Sequence, residues 1–351
     1  MNPGKARIKD IARLAGVSIG TIDRVLHNRG EVSEKTKEKV QKILRDTNYS
    51  PNVMARALKS RKSYHIVSLL PEATEINSYW IKHPAGMDRA VAELEPFPVE
   101  LTKMNFDMQS EADFQRKSDE VLELHPDGIL LAPIFKSESV GFCRTLTERK
   151  IPFVFIDSFI RDTGFLSYIG EDVYLSGRVA GELTDLVTEP GKNILIVNIA
   201  RNLTNVHHLK NRTKGFLGYL DDSGIKSAGT LSISIKEPTE KEVSSDMESV
   251  LSRHPETGSV FITGSKSYLI ANYLKRCGRK DINIIGYDLL DENVSLLKEG
   301  IIKFLIGQRP EEQAYLGIKK LMDYLSMNKI PEKYQYLPVD IISSQNVDFF
   351  I

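Results

Sequence analysis

Apolar positions divide the chain into two unlike stretches. Up to residue 62 they repeat with helical period. Ile8, Ile11, Ala12, Leu14 and Ala15 mark one face of a short helix that Gly16 ends. Ser18 is a natural N-cap for a second helix carrying Ile19, Ile22, Val25 and Leu26. Asn28-Arg29-Gly30 predicts a turn, and Ser33 opens a third helix with Val40, Ile43 and Leu44 on its buried side. Tyr49-Ser50-Pro51-Asn52 breaks that helix. Residues 53–58 form a further short helical candidate, and 59–63 read as a linker.

From Tyr64 the period changes. Short apolar runs at 65–70, 99–104, 128–132, 153–157, 194–199, 230–235, 260–263 and 282–287 predict strands. Amphipathic stretches at 79–94, 111–124, 137–149, 173–187, 206–220, 240–251, 267–277 and 291–299 predict the helices between them. Strict alternation of this kind predicts an α/β fold of parallel sheets with helices on both faces. The body is longer than one core usually serves, so two similar lobes are expected, parting near 159–164.

Charge separates the same two stretches. The 351-residue chain is neutral overall, but residues 1–62 hold 15 Lys and Arg against 6 Asp and Glu. The body carries the compensating negative excess. A small basic head on an acidic body points to a polyanion partner for the head. Globular composition, with 41% hydrophobic and 27% charged residues, excludes a wholly disordered chain. No apolar run reaches the ~18 residues of a membrane span. The first residues lack the apolar run of ~7–15 that an export signal needs. A cytoplasmic protein without membrane contact is therefore expected. Cys143 and Cys277 stand too far apart in sequence for a metal motif, and two cysteines make no disulfide framework. Neither a metal nor a cofactor is expected.

The segment from Asp10 to Leu26 carries the most specific signal. Two helices joined by a tight turn at Gly16, the second with polar residues near its start, have the layout of a DNA-binding helix-turn-helix. Arg24 is the best base reader, because guanidinium matches guanine O6 and N7. Ile19 suits a thymine methyl. Ser18 and Thr21, near a helix N-terminus, suit phosphate, as do Ser33, Lys35 and Thr36 at the start of the third helix. Gly16-Val-Ser18-Ile-Gly20 also fits a hydrolase nucleophile elbow. That motif needs a preceding strand, and a helix precedes it here. No Walker loop or dinucleotide fingerprint is present.

Residues 8–58 resemble the head of the LacI/GalR family of bacterial transcription regulators. The matching pieces are Ile8-Lys-Asp-Ile-Ala, Ala15-Gly-Val-Ser-Ile-Gly-Thr, Arg24-Val-Leu, Val32-Ser-Glu-Lys-Thr, and Asn48-Tyr-Ser-Pro-Asn with Ala55-Arg-Ala-Leu58. The body is similar to periplasmic sugar-binding proteins through Asp127-Gly-Ile-Leu-Leu, Ile151-Pro-Phe-Val, Arg212-Thr-Lys-Gly-Phe216 and Ile284-Ile-Gly-Tyr-Asp288. The resemblance implies three regions: a helix-turn-helix domain over 1–50, a hinge helix and linker over 51–63, and a two-lobed effector-binding and dimerisation domain over 64–351. It implies that Leu58 wedges into the minor groove, that Ala55 reaches into it, and that Asn52 and Arg56 lie along the backbone. Gly20 stands where the family usually has an operator-choosing side chain. Asp23 replaces a small hydroxyl residue, which gives it a role in accepting from cytosine N4 or in holding a neighbouring cation.

Ligands of open α/β sheets bind beyond the carboxyl ends of strands. That rule selects Asp157, Asp288 and Gln308. The resemblance adds Arg212 as a grip on ligand hydroxyls, Tyr79 and Trp80 as stacking aromatics, and Asp172 at the pocket edge. Helix capping is the alternative role for Asp157, Asp172 and Asp288, and core packing for Tyr79 and Trp80. Gly264-Ser265 and Ser158 stand where sugar binders carry polar or charged anchors. Taken together these residues predict a homodimeric repressor on a near-palindromic operator, controlled by a small molecule, a sugar or a derivative, between the lobes. An exported sugar-binding transport protein and a cytosolic sugar-acting enzyme are the alternatives. The basic head argues against the first, and the lack of a nucleophile with a base argues against the second.

Overall fold

The computed structural model describes residues 8–26, 30, 32–47, 62–94, 97–199, 207–224, 229–236 and 238–351. It separates into two compact units, Met1–Lys62 and Ser63–Ile351.

The first unit contains α1 (Ile8–Ala15), α2 (Ile19–Leu26) and α3 (Glu34–Asp46). Their apolar faces meet in a small core of Ile11, Ala12, Ala15, Ile22, Val25 and Val40. Gly16 ends α1 in the left-handed region at φ 66°, and the Val17 N–H donates back to the Ala12 carbonyl at 3.0 Å. Ser18 Oγ accepts from the Thr21 N–H at 3.1 Å, which starts α2 two residues beyond the turn. Ser33 caps α3 in the same way, accepting from the Thr36 N–H.

The second unit is built on two six-stranded sheets. Its first lobe runs through β1 (Tyr64–Pro71), a 3-10 turn (Glu75–Lys82), α4 (His83–Ala92), β2 (Val99–Phe106), α5 (Glu111–Glu123), β3 (Gly128–Leu131), α6 (Lys136–Glu148), β4 (Phe153–Ile156) and β5 (Ser167–Gly170). The second lobe follows as α7 (Val173–Val187), β6 (Asn193–Ile199), α8 (His207–Ser223), β7 (Thr230–Ile235), α9 (Glu240–Arg253), β8 (Thr257–Ile262), α10 (Ser267–Arg276), β9 (Asn283–Tyr287), α11 (Asp291–Lys298) and β10 (Ile302–Gly307). The chain then returns. The helix α12 (Pro310–Met327) and β11 (Tyr334–Tyr336) complete the first lobe, and β12 (Asp340–Ile342) the second.

Strand order is β11-β5-β4-β3-β1-β2 in one sheet and β12-β10-β9-β8-β6-β7 in the other. Among the described residues every pairing is parallel except β10 with β12. Central strands such as β3 and β4 are buried at every residue, as helices on both faces require. The edge strands β2 and β7 keep exposed positions. Each sheet therefore has two cores, one per face.

Two expectations need correction, and one helix is added to them. The lobes do not part near 159–164, because β5 pairs with β4 in the first sheet, so the crossing comes after Gly170. The stretch 79–94 is not one helix. It is a 3-10 turn that gives way at His83 to α4, with Pro84 in the first turn, where a missing N–H costs nothing. The helix α12 was not anticipated, and it is the longest helix among the described residues, covering β3, β4 and β5 and packing on α4. Among the described residues no helix is long and apolar enough to cross a membrane.

Candidate functional site

Two regions carry the sequence-predicted side chains. In the first unit, α2 buries Ile22 and Val25 and turns its other face outward. Ser18, Ile19, Gly20 and Arg24 are exposed there, while Thr21 and Asp23 are half-buried. Ile19 is 43% exposed, an isolated branched apolar side chain on a polar helix face. Ser18 and Thr21 hydroxyls also bond each other at 3.0 Å, as do Ser33 and Thr36 at 2.8 Å, so all four serve their helix starts. Lys35 is exposed on the first turn of α3. Packing of α1, α2 and α3 on a shared core leaves this polar face outward. Asn52, Ala55, Arg56 and Leu58 lie outside the described residues.

The second region lies at the carboxyl ends of the strands. Asp157 follows β4, Glu171 follows β5, Thr263 follows β8, Asp288 follows β9 and Gln308 follows β10. Tyr79 comes from the 3-10 turn after β1, Arg212 from α8 and Gln313 from α12. Asp157 and Asp288 both take the left-handed conformation, at φ 66° and 69°. Aspartate tolerates that region better than most residues, but it is a costly place for any side chain outside a constrained site. Neither residue caps a helix. Asp172 does, accepting from the Tyr174 and Leu175 N–H groups at the start of α7. Trp80 is buried in the first-lobe core and stacks on His83, with ring centroids 4.5 Å apart.

Arg212 anchors the cluster. Its Nε donates to Glu171 Oε1 at 2.8 Å, its Nη2 bonds the same oxygen, and its Nη1 donates to the Thr263 carbonyl at 2.8 Å. The guanidinium sits 3.7 Å from the centroid of the Tyr287 ring. It reaches this place because α7 and α8 pack unusually close. A Cβ on Gly177 would stand 2.1 Å from the Arg212 carbonyl oxygen, and one on Gly215 would stand 2.0 Å from that of Tyr174. Gln308 Nε2 donates to both oxygens of Asp288, at 2.9 and 3.0 Å. Gln313 ties the lobes together. Its Oε1 accepts the Asp157 N–H at 2.7 Å, and its Nε2 donates to the Gln308 carbonyl at 2.8 Å. Asn293 holds the other side, donating to the Tyr287 and Asp288 carbonyls at 3.0 Å each. Tyr79, Asp288 and Gln308 also line a cavity of about 650 Å³, completed by the starts of α11 and α12.

Burial dominates the titration of this cluster. It pushes Asp288 up to about 7, against the opposing pull of Arg212 and the Gln308 amide. It pushes Asp157 up to about 6, against Arg212 and with Glu171 adding to the rise. Burial works against the Arg212 charge, but Glu171, Tyr287 and Asp288 outweigh it and the guanidinium holds its proton more tightly than usual. Such a set offers bidentate acceptors, amide donors and aromatic faces to one ligand. Among the described residues no group of three or more histidine, cysteine or carboxylate side chains is placed to hold a metal ion.

Glu171, Gln313 and Asn293 were not among the predicted site residues. Glu171 was findable, since it follows a strand, but the strand itself went unread. Gln313 and Asn293 sit inside helices and act on backbone groups, which leaves no pattern in the sequence.

Comparison with known proteins matches the two parts of the chain to two domain families. Residues 67–329 match the periplasmic binding protein domain, and residues 7–52 match the bacterial regulatory proteins of the lacI family. The ribose operon repressor of Lactococcus lactis is 26% identical over 286 residues, covering 80% of each chain. The sucrose operon repressor of Streptococcus mutans is 26% identical over 351 residues, covering 97% of this chain and 99% of that one. The crystal structure of a putative LacI transcriptional regulator from Bacteroides fragilis superposes with a TM-score of 0.77 at 30% identity. That match covers 83% of this chain and all of the other. With a helix-turn-helix unit ahead of a two-lobed periplasmic-binding-type body, the chain belongs to the LacI family of bacterial regulatory proteins.

Proposed function

We propose that this protein is a homodimeric transcription repressor that binds a near-palindromic operator and is controlled by a small hydroxylated effector held between its lobes. The observation that carries the reading is the outward face of α2, where Ile19, Gly20 and Arg24 stand exposed on a helix fixed by its caps and core. A helix presented in this way enters the major groove. Arg24 reads a guanine, Ile19 meets a thymine methyl, and Ser18, Thr21, Ser33, Lys35 and Thr36 set the register on phosphates. Asn52, Ala55, Arg56 and Leu58 supply the minor-groove contacts, with Leu58 as the wedge. Two subunits joined through their bodies present two such helices to two half-sites.

Asp157, Arg212, Asp288 and Gln308, with Tyr79, form the effector site. Relatives named as ribose and sucrose operon repressors support both repression and a sugar-like effector. Trp80 and Asp172 act one step back, Trp80 by holding the 3-10 turn and Asp172 by capping α7. The effector works only through unequal affinity for the lobe arrangements that do and do not hold DNA. The test is selection of bound duplexes from a random pool by the purified full chain, with and without a metabolite extract. An enriched near-palindrome supports the reading. No enrichment under either condition overturns it.

A further inference from the structure

The cleft is short of positive charge. Glu171, Asp157 and Asp288 are brought together by the ends of β5, β4 and β9; among the described residues Arg212 is the cation whose charge acts on all three, and it bonds Glu171 alone. Three of that cation's five N–H groups are bonded within the protein. Two of its nitrogens bond a single oxygen, Glu171 Oε1, and a third bonds the Thr263 carbonyl. Glu171 Oε2 is buried without a hydrogen-bond partner, on a side chain that is 3% exposed. Asp288 is met by the neutral Gln308 amide and Asp157 by the Tyr79 hydroxyl. The adjoining cavity does not correct the shortage. Six carboxylates line it against Lys82, Arg89 and Arg309, and Arg89 and Arg309 are already bonded to Glu311, Glu312 and Asp340.

Buried carboxylates without a cation are costly, and a buried acceptor without a donor is costly as well. A ligand that brings only hydroxyls relieves the second cost and not the first. A ligand that brings an ammonium group relieves both. We propose that the cleft takes a hydroxylated ligand carrying a protonated amine, an amino sugar or amino polyol, with its ammonium seated among Asp157, Glu171 and Asp288. This rests on reading the cleft as the effector site.

The direction of pH dependence separates this ligand from a neutral one. The groups facing the two aspartates are Tyr79 from the 3-10 turn, Glu171 and Tyr168 from the β5 side, Arg212 from α8, Tyr287 and Gln308 from the second sheet, and Gln313 from α12. Burial holds protons on Asp157 and Asp288 up to about 6 and about 7. An ammonium displaces those protons, so its affinity rises between about pH 5.5 and about pH 7. A neutral polyol that accepts from protonated carboxyls loses affinity over the same interval.

The test is calorimetric titration and thermal shift of the full chain with matched pairs: glucosamine and glucose, galactosamine and galactose, glucamine and sorbitol. The expected result is that an amine binds at least about tenfold tighter than its hydroxyl partner, more so at the higher pH. Asp157→Asn, or Asp288→Asn should that variant fail to fold, is expected to erase the preference. Equal or tighter binding of the hydroxyl members overturns the inference and leaves the effector reading standing. Binding by neither series overturns both, while the duplex selection judges the DNA reading separately.

Discussion

Glu171 and Arg212 face each other at full burial, each side chain 3% exposed, with the guanidinium also lying over the Tyr287 ring. Such a pair contributes little net stability, because desolvation offsets the attraction, but breaking it strands a charge. Arg212→Met is therefore expected to destabilise the body by about 3–5 kcal/mol. The double variant Glu171→Leu with Arg212→Met is expected to recover most of that loss. Urea denaturation followed by circular dichroism measures both. A double variant as unstable as the single one would show that the pair does more than neutralise itself.

Gly177→Ala tests the close approach of α7 and α8. The added methyl would meet the Arg212 carbonyl oxygen, which is backbone and has no rotamer to change. The helices must separate, at a cost of about 1–3 kcal/mol. Arg212 moves with its helix, so ligand affinity should fall together with Tm. Gly141→Ala, inside α6 with open space around the new methyl, is the control: it should leave ligand affinity unchanged and raise Tm slightly, as loss of a mid-helix glycine does.

Asp288 gives stability a pH dependence of known sign. Burial raises it from 3.8 to about 7, so the folded chain keeps a proton that the unfolded chain has lost. Its contribution is complete below the unfolded value near 3.8 and is lost as pH rises through about 7. Asp288→Asn removes the titration. The Tm of the wild-type protein should fall relative to that of the variant between about pH 4 and about pH 7. Parallel Tm curves would place the Asp288 proton elsewhere.

The two kinds of DNA contact proposed for the first unit separate experimentally. Arg24→Ala should cost about 1–3 kcal/mol at one base pair and relax preference there. Lys35→Ala should weaken all duplexes alike and lower the salt slope by about one. Competition binding with single-base variants of the selected duplex distinguishes them. Exchanged phenotypes would mean that α2 does not enter the groove in this orientation.

Much of this was readable in the chain. The three helices of the first unit follow directly from Gly16, Ser18 and Ser33, because caps and stops are local physics. Central strands such as β4 read as apolar runs because both faces are covered. The strand β5 went unread because four residues leave almost no periodicity, and with it went Glu171. Edge strands β11 and β12 are three residues each and owe their form to neighbours distant in sequence. The helix α12 carried signals that were passed over, with Pro310 at its start and Asn328 closing it at φ 57°. Its return to the first lobe is a tertiary fact, and so is the bridge that Gln313 makes between Asp157 and Gln308. Of the capping roles weighed for three aspartates, Asp172 fills one, and Asp157 and Asp288 do not.

The coupling of cleft to operator is the central claim, and one titration addresses it. Affinity for the selected duplex would be measured against rising concentrations of each compound that raises Tm, in the wild-type protein and in Gln308→Ala. The expected result is a shift in operator affinity of at least about fivefold in the wild-type protein and none in the variant. A compound that binds the cleft tightly, loses that binding in Gln308→Ala, and leaves operator affinity unchanged would contradict it.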